Sequence, residues 1–217
     1  GLVGSEMCIR DSLDTIYSFY LIANNNNWIK PVLCDDNKFD IRDALHPVID
    51  KTLGFGKFVP NDLNFTNKIN TAIITGPNMS GKSTYLRTMA IIVILSQIGS
   101  FVPASKCEIG IVDRIFTRTG LTDDIHTGKS TFLIEMEETS RILAQSTNKS
   151  FAVLDEIGRG TSTYDGLSIA WSILEYINTK EEKKFRTLFA THFHELTKLP
   201  ETFSNIINLQ VAVHEEN

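Results

Sequence analysis

Short apolar runs alternate with longer amphipathic segments along most of the chain. Residues Thr71–Thr75, 151–154 and 187–190 are brief and largely apolar, with β-branched or aromatic side chains, and this composition predicts buried strands. Residues 114–119 are a further strand candidate. Near the end of the chain, residues 207–213 alternate between apolar and polar side chains, which is typical of a strand with one buried face.

Three segments between these strands have the periodicity of helices. The first, residues 82–98, is followed by Gly99, a common helix-terminating residue. The second is Thr131–Gln145, in which apolar side chains recur on one face, and the third is residues 167–177. Strands that alternate with helices along the chain predict an α/β fold with a mostly parallel sheet flanked by helices.

The remaining segments are less regular. Residues 13–23 are a short apolar stretch that predicts the end of a helix, and the four asparagines that follow should terminate it. The prolines in residues 28–62 favour short strands and turns, and the charged residues 179–186 are expected to form a solvated connection. Residues 1–12 look like translated adapter sequence, so we expect a non-native leader there and exclude it from the fold prediction.

Composition narrows the class of protein. The chain has 217 residues, 42% hydrophobic and 22% charged, which is typical of one large globular domain, or of one domain with a fragment of another. The net charge of −5 argues against this part of the protein gripping nucleic acid by itself. Three scattered cysteines predict neither a disulfide framework nor a zinc site and favour a reducing cytosol. The longest apolar run, residues 89–95, is too short to span a bilayer, so no membrane partner is expected.

The segment between the first predicted strand and helix, residues 76–83, has the pattern of a phosphate-binding loop. Gly76 and Gly81 allow a tight turn and a close backbone approach to phosphates, at the positive end of a helix. Lys82 can reach the β- and γ-phosphates of ATP, and the Ser83 hydroxyl is placed to ligate Mg²⁺. The alternative is a glycine-rich turn without function, which the strand–loop–helix setting disfavours.

Two acidic residues, Asp155 and Glu156, follow the predicted strand 151–154, at the end of a strand where ligands bind in open α/β sheets. Asp155 would hold Mg²⁺ through water and Glu156 would polarise the attacking water; the alternative is a pair of acids that only caps the strand. His192, after the third buried strand, could hydrogen-bond the γ-phosphate. A metal pair of His192 and His194 is a weaker alternative, because no cysteine or helical His-x₃-His spacing accompanies it.

Several blocks of sequence together resemble the ATPase domain of the MutS mismatch-repair family, in the form found in the bacterial mismatch-recognition proteins. They are residues 75–84, 97–104, 113–118, 130–136, 155–166 and 190–192. The resemblance extends over residues 13–215, and the block DEIGRGTSTYDG at 155–166 is its most specific part. It implies a P-loop NTPase fold of the ABC-ATPase type, in which the two subunits of a homodimer build each ATP site together.

The resemblance also implies roles for individual residues. Ser130 would contact ATP in trans, Phe58 would stack on adenine, and residues 158–165 would lie at the dimer contact. The catalytic residues would be Lys82, Glu156 and His192, the last as γ-phosphate sensor, and the Mg²⁺ ligands would be Ser83 and Asp155. The residues that bind ATP or ADP in cis would be Gly76, Pro77, Asn78, Met79, Ser80, Gly81, Lys82, Ser83, Thr84 and Phe58.

In the family's arrangement, residues 13–35 would end the lever domain and residues 36–217 would form an ATPase domain truncated at its C-terminus. Mismatched double-stranded DNA would be bound by upstream domains that this sequence lacks, and a MutL-type factor would act downstream, in the cytoplasm at the nucleoid. Two alternatives stay open. One is another ABC-type ATPase, of the transporter or chromosome-structure kind, although no Leu-Ser-Gly-Gly-type signature precedes the acidic strand; the other is a catalytically weak, ATP-gated dimerisation module.

Overall fold

Two β-sheets with helices packed against them make up the part of the chain that the structure describes. The structure is a computed structural model that describes residues 2–54, 56–77, 80–119 and 131–212, with side chains from Met7 onward. Within these residues the helices are α1 (Leu2–Asn26), α2 (Pro47–Leu53), α3 (Lys82–Gln97), α4 (Thr131–Gln145) and α5 (Thr163–Thr179), with short 3₁₀ helices at Glu181–Lys183 and His194–Glu201. The strands are β1 (Val32–Cys34), β2 (Phe39–Ala44), β3 (Asn61–Phe65), β4 (Thr71–Thr75), β5 (Lys106–Gly110), β6 (Ile115–Arg118), β7 (Phe151–Asp155), β8 (Arg186–Ala190) and β9 (Ile206–Gln210).

The larger sheet has five strands in the order β6-β7-β8-β4-β9, and every neighbouring pair is parallel. The three apolar runs predicted as buried strands are β4, β7 and β8, at the centre of this sheet. Every residue of β7 and β8 is buried, as is all of β4 except Thr75. Continuous burial is typical of parallel strands covered on both faces. The predicted α/β fold with a mostly parallel sheet flanked by helices is confirmed.

Side chains of the central strands enter two hydrophobic layers. On the α3 side, Phe151 and Val153 of β7 pack with Leu86. On the α5 side, Leu154 of the same strand packs with Leu174. Because successive side chains of a strand point to opposite faces, each central strand stabilises both layers.

The smaller sheet covers the α3 side of the molecule. Its strands have the order β1-β5-β2-β3, in which β1 and β5 are parallel and the other pairs antiparallel. Phe39 of β2 and Phe65 of β3 are fully buried in the same layer as α3. The short strands expected in residues 28–62 are therefore present, and their sheet covers α3.

The helix predicted at residues 167–177 begins earlier, since α5 starts at Thr163. Ser162 explains the difference, because its Oγ accepts a hydrogen bond from the Asp165 N–H at 3.3 Å and so caps the helix N-terminus. This cap places the residues that follow Glu156 in a short, closed loop between β7 and α5.

The first helix, α1, runs through residues 2–26 without a break and so includes most of the expected leader, residues 1–12. Most of its described side chains are exposed, and Ala23 is its buried core residue. The helix ends within the four asparagines, as predicted. The non-native origin of residues 1–12 stays a prediction. Neither α1 nor any other helix of the described residues is long and apolar enough to cross a membrane.

The expectation of a solvated connection over residues 179–186 is wrong at its end. Phe185 and Arg186 are buried, and Arg186 is 1% exposed. The Arg186 guanidinium donates to the carbonyls of Lys149 at 2.6 Å and Ile111 at 3.2 Å, and it lies 4.5 Å from the centroid of the Phe39 ring. Burial lowers the pKa of Arg186 to about 10. Arg186 of the larger sheet therefore contacts the smaller sheet in the protein interior, and the methylene groups of its side chain pack like those of an apolar residue.

We expect Arg186→Ala to lower the free energy of unfolding by about 2–4 kcal/mol, because it leaves a cavity and removes the donor from buried carbonyls. Lys184→Ala is the control, since Lys184 pairs with the exposed Glu181 and its loss should cost less than about 0.5 kcal/mol. Urea unfolding monitored by circular dichroism measures both. Equal midpoints for the two variants would contradict the anchoring role of Arg186.

Candidate nucleotide-binding site

Three strand ends meet at one edge of the parallel sheet. In the register, Ala190 of β8 lies between Ile74 of β4 and Asp155 of β7. Backbone hydrogen bonds continue past the strands: the Glu156 N–H donates to Ala190 O at 2.9 Å, and the Thr191 N–H donates to Ile74 O at 3.0 Å. The segments that follow these strands therefore leave the sheet side by side, as expected for ligand-binding loops.

The first of these segments is the glycine-rich loop from Gly76 to the start of α3. A Cβ atom at Gly76 would lie 2.9 Å from both Ser80 Oγ and the Val211 carbonyl oxygen, so a larger residue would not fit. Gly81 has a φ of +95°, in the left-handed region that favours glycine, and it forms the N-terminal boundary of α3. Ser80 Oγ is buried without a hydrogen-bond partner among the described residues.

Lys82, the first residue of α3, is 6% exposed. Its ammonium donates hydrogen bonds to Gly76 O at 2.7 Å and to Pro77 O at 2.9 Å. These contacts hold the positively charged end of the Lys82 side chain against the backbone of the loop. Thr84 follows in the first turn and is half-buried. Asn78 and Met79, predicted to contact phosphate, lie outside the described residues.

A direct contact joins the loop to the acidic pair. Ser83 Oγ donates a hydrogen bond to Asp155 Oδ2 at 2.7 Å, although the two residues are far apart in the chain. Burial raises the pKa of Asp155 and the charge of Glu156 raises it further, while the Ser83 hydrogen bond, Arg87 and Lys82 oppose the rise.

Asp155 Oδ1 is buried and has no hydrogen-bond partner among the described residues. A hydroxyl and a carboxylate with a free buried oxygen are ligands that suit Mg²⁺, which prefers oxygen donors and keeps several waters. Ser83 and Asp155 therefore fit the ion that the sequence predicts.

Glu156 has an unusual backbone conformation. Its φ is +54°, a left-handed value that is uncommon for a residue with a side chain. Its carboxylate forms an ion pair with Arg159, with Nη1 and Oε2 2.6 Å apart, and its side chain is 22% exposed. Strained residues are concentrated at functional sites, and this one directly follows the end of β7.

The other predicted site residues are less closely joined to the loop. His192 is exposed after β8, at the same edge of the sheet, and its ring lies 4.1 Å from that of Phe193. His194 is also exposed, and the described residues contain no group of three or more His, Cys, Asp or Glu side chains able to hold a metal ion. Phe58 is half-buried before β3. Ser130 lies outside the described residues.

One buried carboxylate near the site had no predicted role. Glu135 of α4 is 4% exposed, and its Oε1 accepts a hydrogen bond from the Gly158 N–H at 2.5 Å. Helical spacing could have indicated it, because Glu135 lies on the same face of α4 as Thr139 and Ile142, which are also buried. Its partner, in the loop after β7, could not be read from that spacing.

Comparison with known proteins agrees with this geometry. The family model of MutS domain V matches residues 72–217. The chain is 54% identical over 205 residues to the DNA mismatch repair protein MutS of Acetivibrio thermocellus, covering 94% of this chain and 23% of that protein. It is 52% identical over 206 residues to the protein of the same name from Clostridioides difficile, covering 94% and 22%.

A similar relation holds for a relative from a third organism. The MutS protein of Protochlamydia amoebophila is 52% identical over 204 residues, which are 94% of this chain and 24% of that protein. The chain thus spans about a quarter of the length of the curated relatives that it matches. The matched family model covers the loop, the acidic pair and the strands that carry them. The chain therefore belongs to the MutS family, and its residues 72–217 correspond to MutS domain V.

Proposed function

We propose that this chain is the ATP-binding and ATP-hydrolysing part of a DNA mismatch repair protein. The observation that carries the proposal is the 2.7 Å contact of Ser83 with Asp155, which joins a phosphate-binding loop to an acidic strand end. Membership of the MutS family supports the same reaction.

ATP would bind with its phosphates over the loop. The N-terminus of α3 contributes backbone N–H groups and the positive end of the helix dipole. The Lys82 ammonium, now on loop carbonyls, is within reach of the β- and γ-phosphates after a change of side-chain rotamer. The buried Ser80 hydroxyl is a further donor that a phosphate oxygen would satisfy.

Hydrolysis requires a water held in line with the γ-phosphate. When bound, Mg²⁺ would neutralise charge on the phosphates, with Ser83 and Asp155 holding it, the latter through water. Glu156 would orient the attacking water by accepting a hydrogen bond from it. Release of the carboxylate from Arg159 would leave it free to do so. His192, at the same edge, would hydrogen-bond the γ-phosphate.

Further parts of the proposal rest on the family resemblance. Phe58 would stack on adenine, Ser130 would complete the ATP site of a second subunit, and residues 158–165 would lie at the homodimer contact. Residues 13–35 would end a lever domain and residues 36–217 would belong to the ATPase domain. ATP-driven closure of the dimer would then act on mismatched DNA and on a MutL-type factor through other domains, at the nucleoid in the cytoplasm.

The phosphate loop can be tested by Lys82→Ala. Loss of the ammonium removes charge-assisted hydrogen bonds to phosphate, so ATP binding should weaken by about 100-fold. Binding of a fluorescent ATP analogue, followed by anisotropy, measures the dissociation constant. Lys198→Ala removes one exposed positive charge elsewhere and should bind like the wild type. Retention of wild-type affinity by Lys82→Ala would contradict the proposed phosphate site.

The role of Glu156 can be tested by Glu156→Gln. We expect ATP affinity within about twofold of the wild type and turnover lower by about 100-fold, because the amide cannot act as a base toward water. Phosphate release measures turnover and anisotropy measures binding. Glu175→Gln, an exposed change on α5, is the control. Normal phosphate release by Glu156→Gln would eliminate the carboxylate as the water-activating group.

The raised pKa of Asp155 predicts a dependence of stability on pH. Because the folded-state pKa lies above its ordinary value, the contribution of Asp155 to stability is greatest below the ordinary pKa and is lost as the pH rises through the raised one. Asp155→Asn should therefore have a higher Tm than the wild type at neutral pH without nucleotide. Each kcal/mol gained in the free energy of unfolding should raise the Tm by about 2–4 °C.

Thermal unfolding at neutral and acidic pH measures this difference. The amide oxygen of Asp155→Asn can still accept the Ser83 hydrogen bond, so the change isolates the charge. The Tm advantage should disappear at a pH below the ordinary pKa of an aspartate. An advantage that is equal at both pH values, or absent at neutral pH, would show that the ionised carboxylate carries no stability cost.

A further inference from the structure

The loop after β7 is held by a buried carboxylate from another element. Gly158 N–H donates to Glu135 Oε1 at 2.5 Å, and Glu135 lies on α4 at 4% exposure. A hydrogen bond from a backbone amide to a buried carboxylate is stronger than one between neutral groups. Any displacement of the loop from α4 would leave both the carboxylate and the amide without this partner.

A second buried charge fixes the carboxylate. Arg118, the last residue of β6, is 5% exposed, and its Nη2 lies 3.7 Å from Glu135 Oε2. Its Nε lies 2.9 Å from Oε2 of Glu138, a side chain of α4 that is 46% exposed. Arg118 therefore sits between an inner and an outer carboxylate of the same helix, and only the inner one reaches the loop amide.

Glycines bring the loop close to its neighbours. Gly158 has a φ of +87°, and a Cβ there would lie 2.6 Å from the Gly166 carbonyl oxygen of α5. A Cβ at Gly160 would lie 3.5 Å from the Cβ of Phe132, in the first turn of α4. The loop is thus packed between the beginnings of α4 and α5, and the Glu135 contact lies at its centre.

The same loop begins with Glu156. The Glu156 backbone is held on one side by its N–H bond to Ala190 O at 2.9 Å, and two residues later by the bond from Gly158 to Glu135. Between these two fixed points its φ is +54°. Because a left-handed conformation persists only where the surroundings impose it, release of Gly158 would let Glu156 relax and turn its carboxylate.

We propose that Glu135 is a positioning residue, which ties α4 to the loop after β7 and thereby sets the direction of the Glu156 carboxylate. The inference rests on the proposed ATPase function and adds a residue to it. It also means that the geometry of Glu156 depends on where α4 lies. Glu135 does not contact the reacting atoms; it acts through Gly158.

Three substitutions in this chain separate positioning from general stability. Glu135→Ala removes the acceptor, and Glu135→Gln keeps an acceptor for the Gly158 amide but loses the charge that faces Arg118. Glu138→Gln is the matched control, because it removes a carboxylate from the same helix and the same arginine at the exposed side. Turnover is measured by phosphate release, and the dissociation constant of ATP by anisotropy.

Glu135→Ala should lower kcat by about tenfold or more while the dissociation constant changes by less than about twofold. Glu135→Gln should recover a large part of that loss, and Glu138→Gln should match the wild type. A normal kcat for Glu135→Ala, an equal loss for Glu138→Gln, or a loss of affinity as large as the loss of kcat would each overturn the proposal.

Hydrogen exchange of peptides covering residues 156–162 provides a test that needs no nucleotide. Without ATP, Glu135→Ala should speed exchange there by about tenfold, and Glu138→Gln should not. Unchanged exchange in Glu135→Ala overturns the positioning role even if the variant is inactive. Failure of the wild type to bind or hydrolyse ATP would instead defeat the ATPase proposal, while the exchange result would still decide whether Glu135 holds the loop.

Discussion

The parallel register of β4, β8 and β7 is the constraint on which the site depends. Ala190 lies beside both Ile74 and Asp155, so three segments that are distant in the chain leave the sheet at one level. A shift of one residue between β7 and β8 would turn every side chain of β7 to the opposite face and move Asp155 away from Ser83. Successive apolar side chains of β7 pack into the two hydrophobic layers in turn, so such a shift would disturb the packing of both layers and be costly. The core thus fixes the distance between loop and acid.

Several charged side chains of the structure are largely shielded from water. Arg118, Glu135, Asp155 and Lys82 are each less than a tenth exposed. Burial of charge opposes folding unless partners compensate, and the compensation differs among these residues. Glu135 has both a backbone amide and Arg118, whereas one oxygen of Asp155 has no partner among the described residues. The unsatisfied group lies at the proposed metal position, and the satisfied one holds the loop after β7. The loop is therefore supported by a fully paired buried carboxylate, while the proposed metal position keeps an oxygen that a ligand could use.

Much of the fold could be predicted because its determinants are local. The strands β4, β7 and β8 follow from brief apolar runs, and the loop at Gly76 follows from the residue types that a phosphate turn requires. The burial of Arg186 could not be read in this way, because its partners are distant in the chain: Phe39 lies on β2 of the smaller sheet and Ile111 directly follows β5. Within a charged run, nothing local separates it from the exposed lysines nearby. The apolar face of α5 begins only at Leu167, whereas the helix itself begins after its N-cap, Ser162. The cap residue therefore indicates the start of α5 and the apolar periodicity does not.

The same distinction applies within the site. The proposed roles of Lys82, Ser83 and Asp155 could be inferred from the sequence because phosphate and metal chemistry demand particular residue types at fixed spacing. Glu135 is different, since its function depends on where the backbone of Gly158 lies, and that position is set by close approaches to Gly166 and Phe132. Residues that touch a ligand leave a pattern in the sequence, whereas residues that hold other residues leave only a buried charge without an obvious reason. In α/β folds, a carboxylate on the apolar face of a helix is therefore worth following to its partner, because the partner can be the loop that carries the reaction.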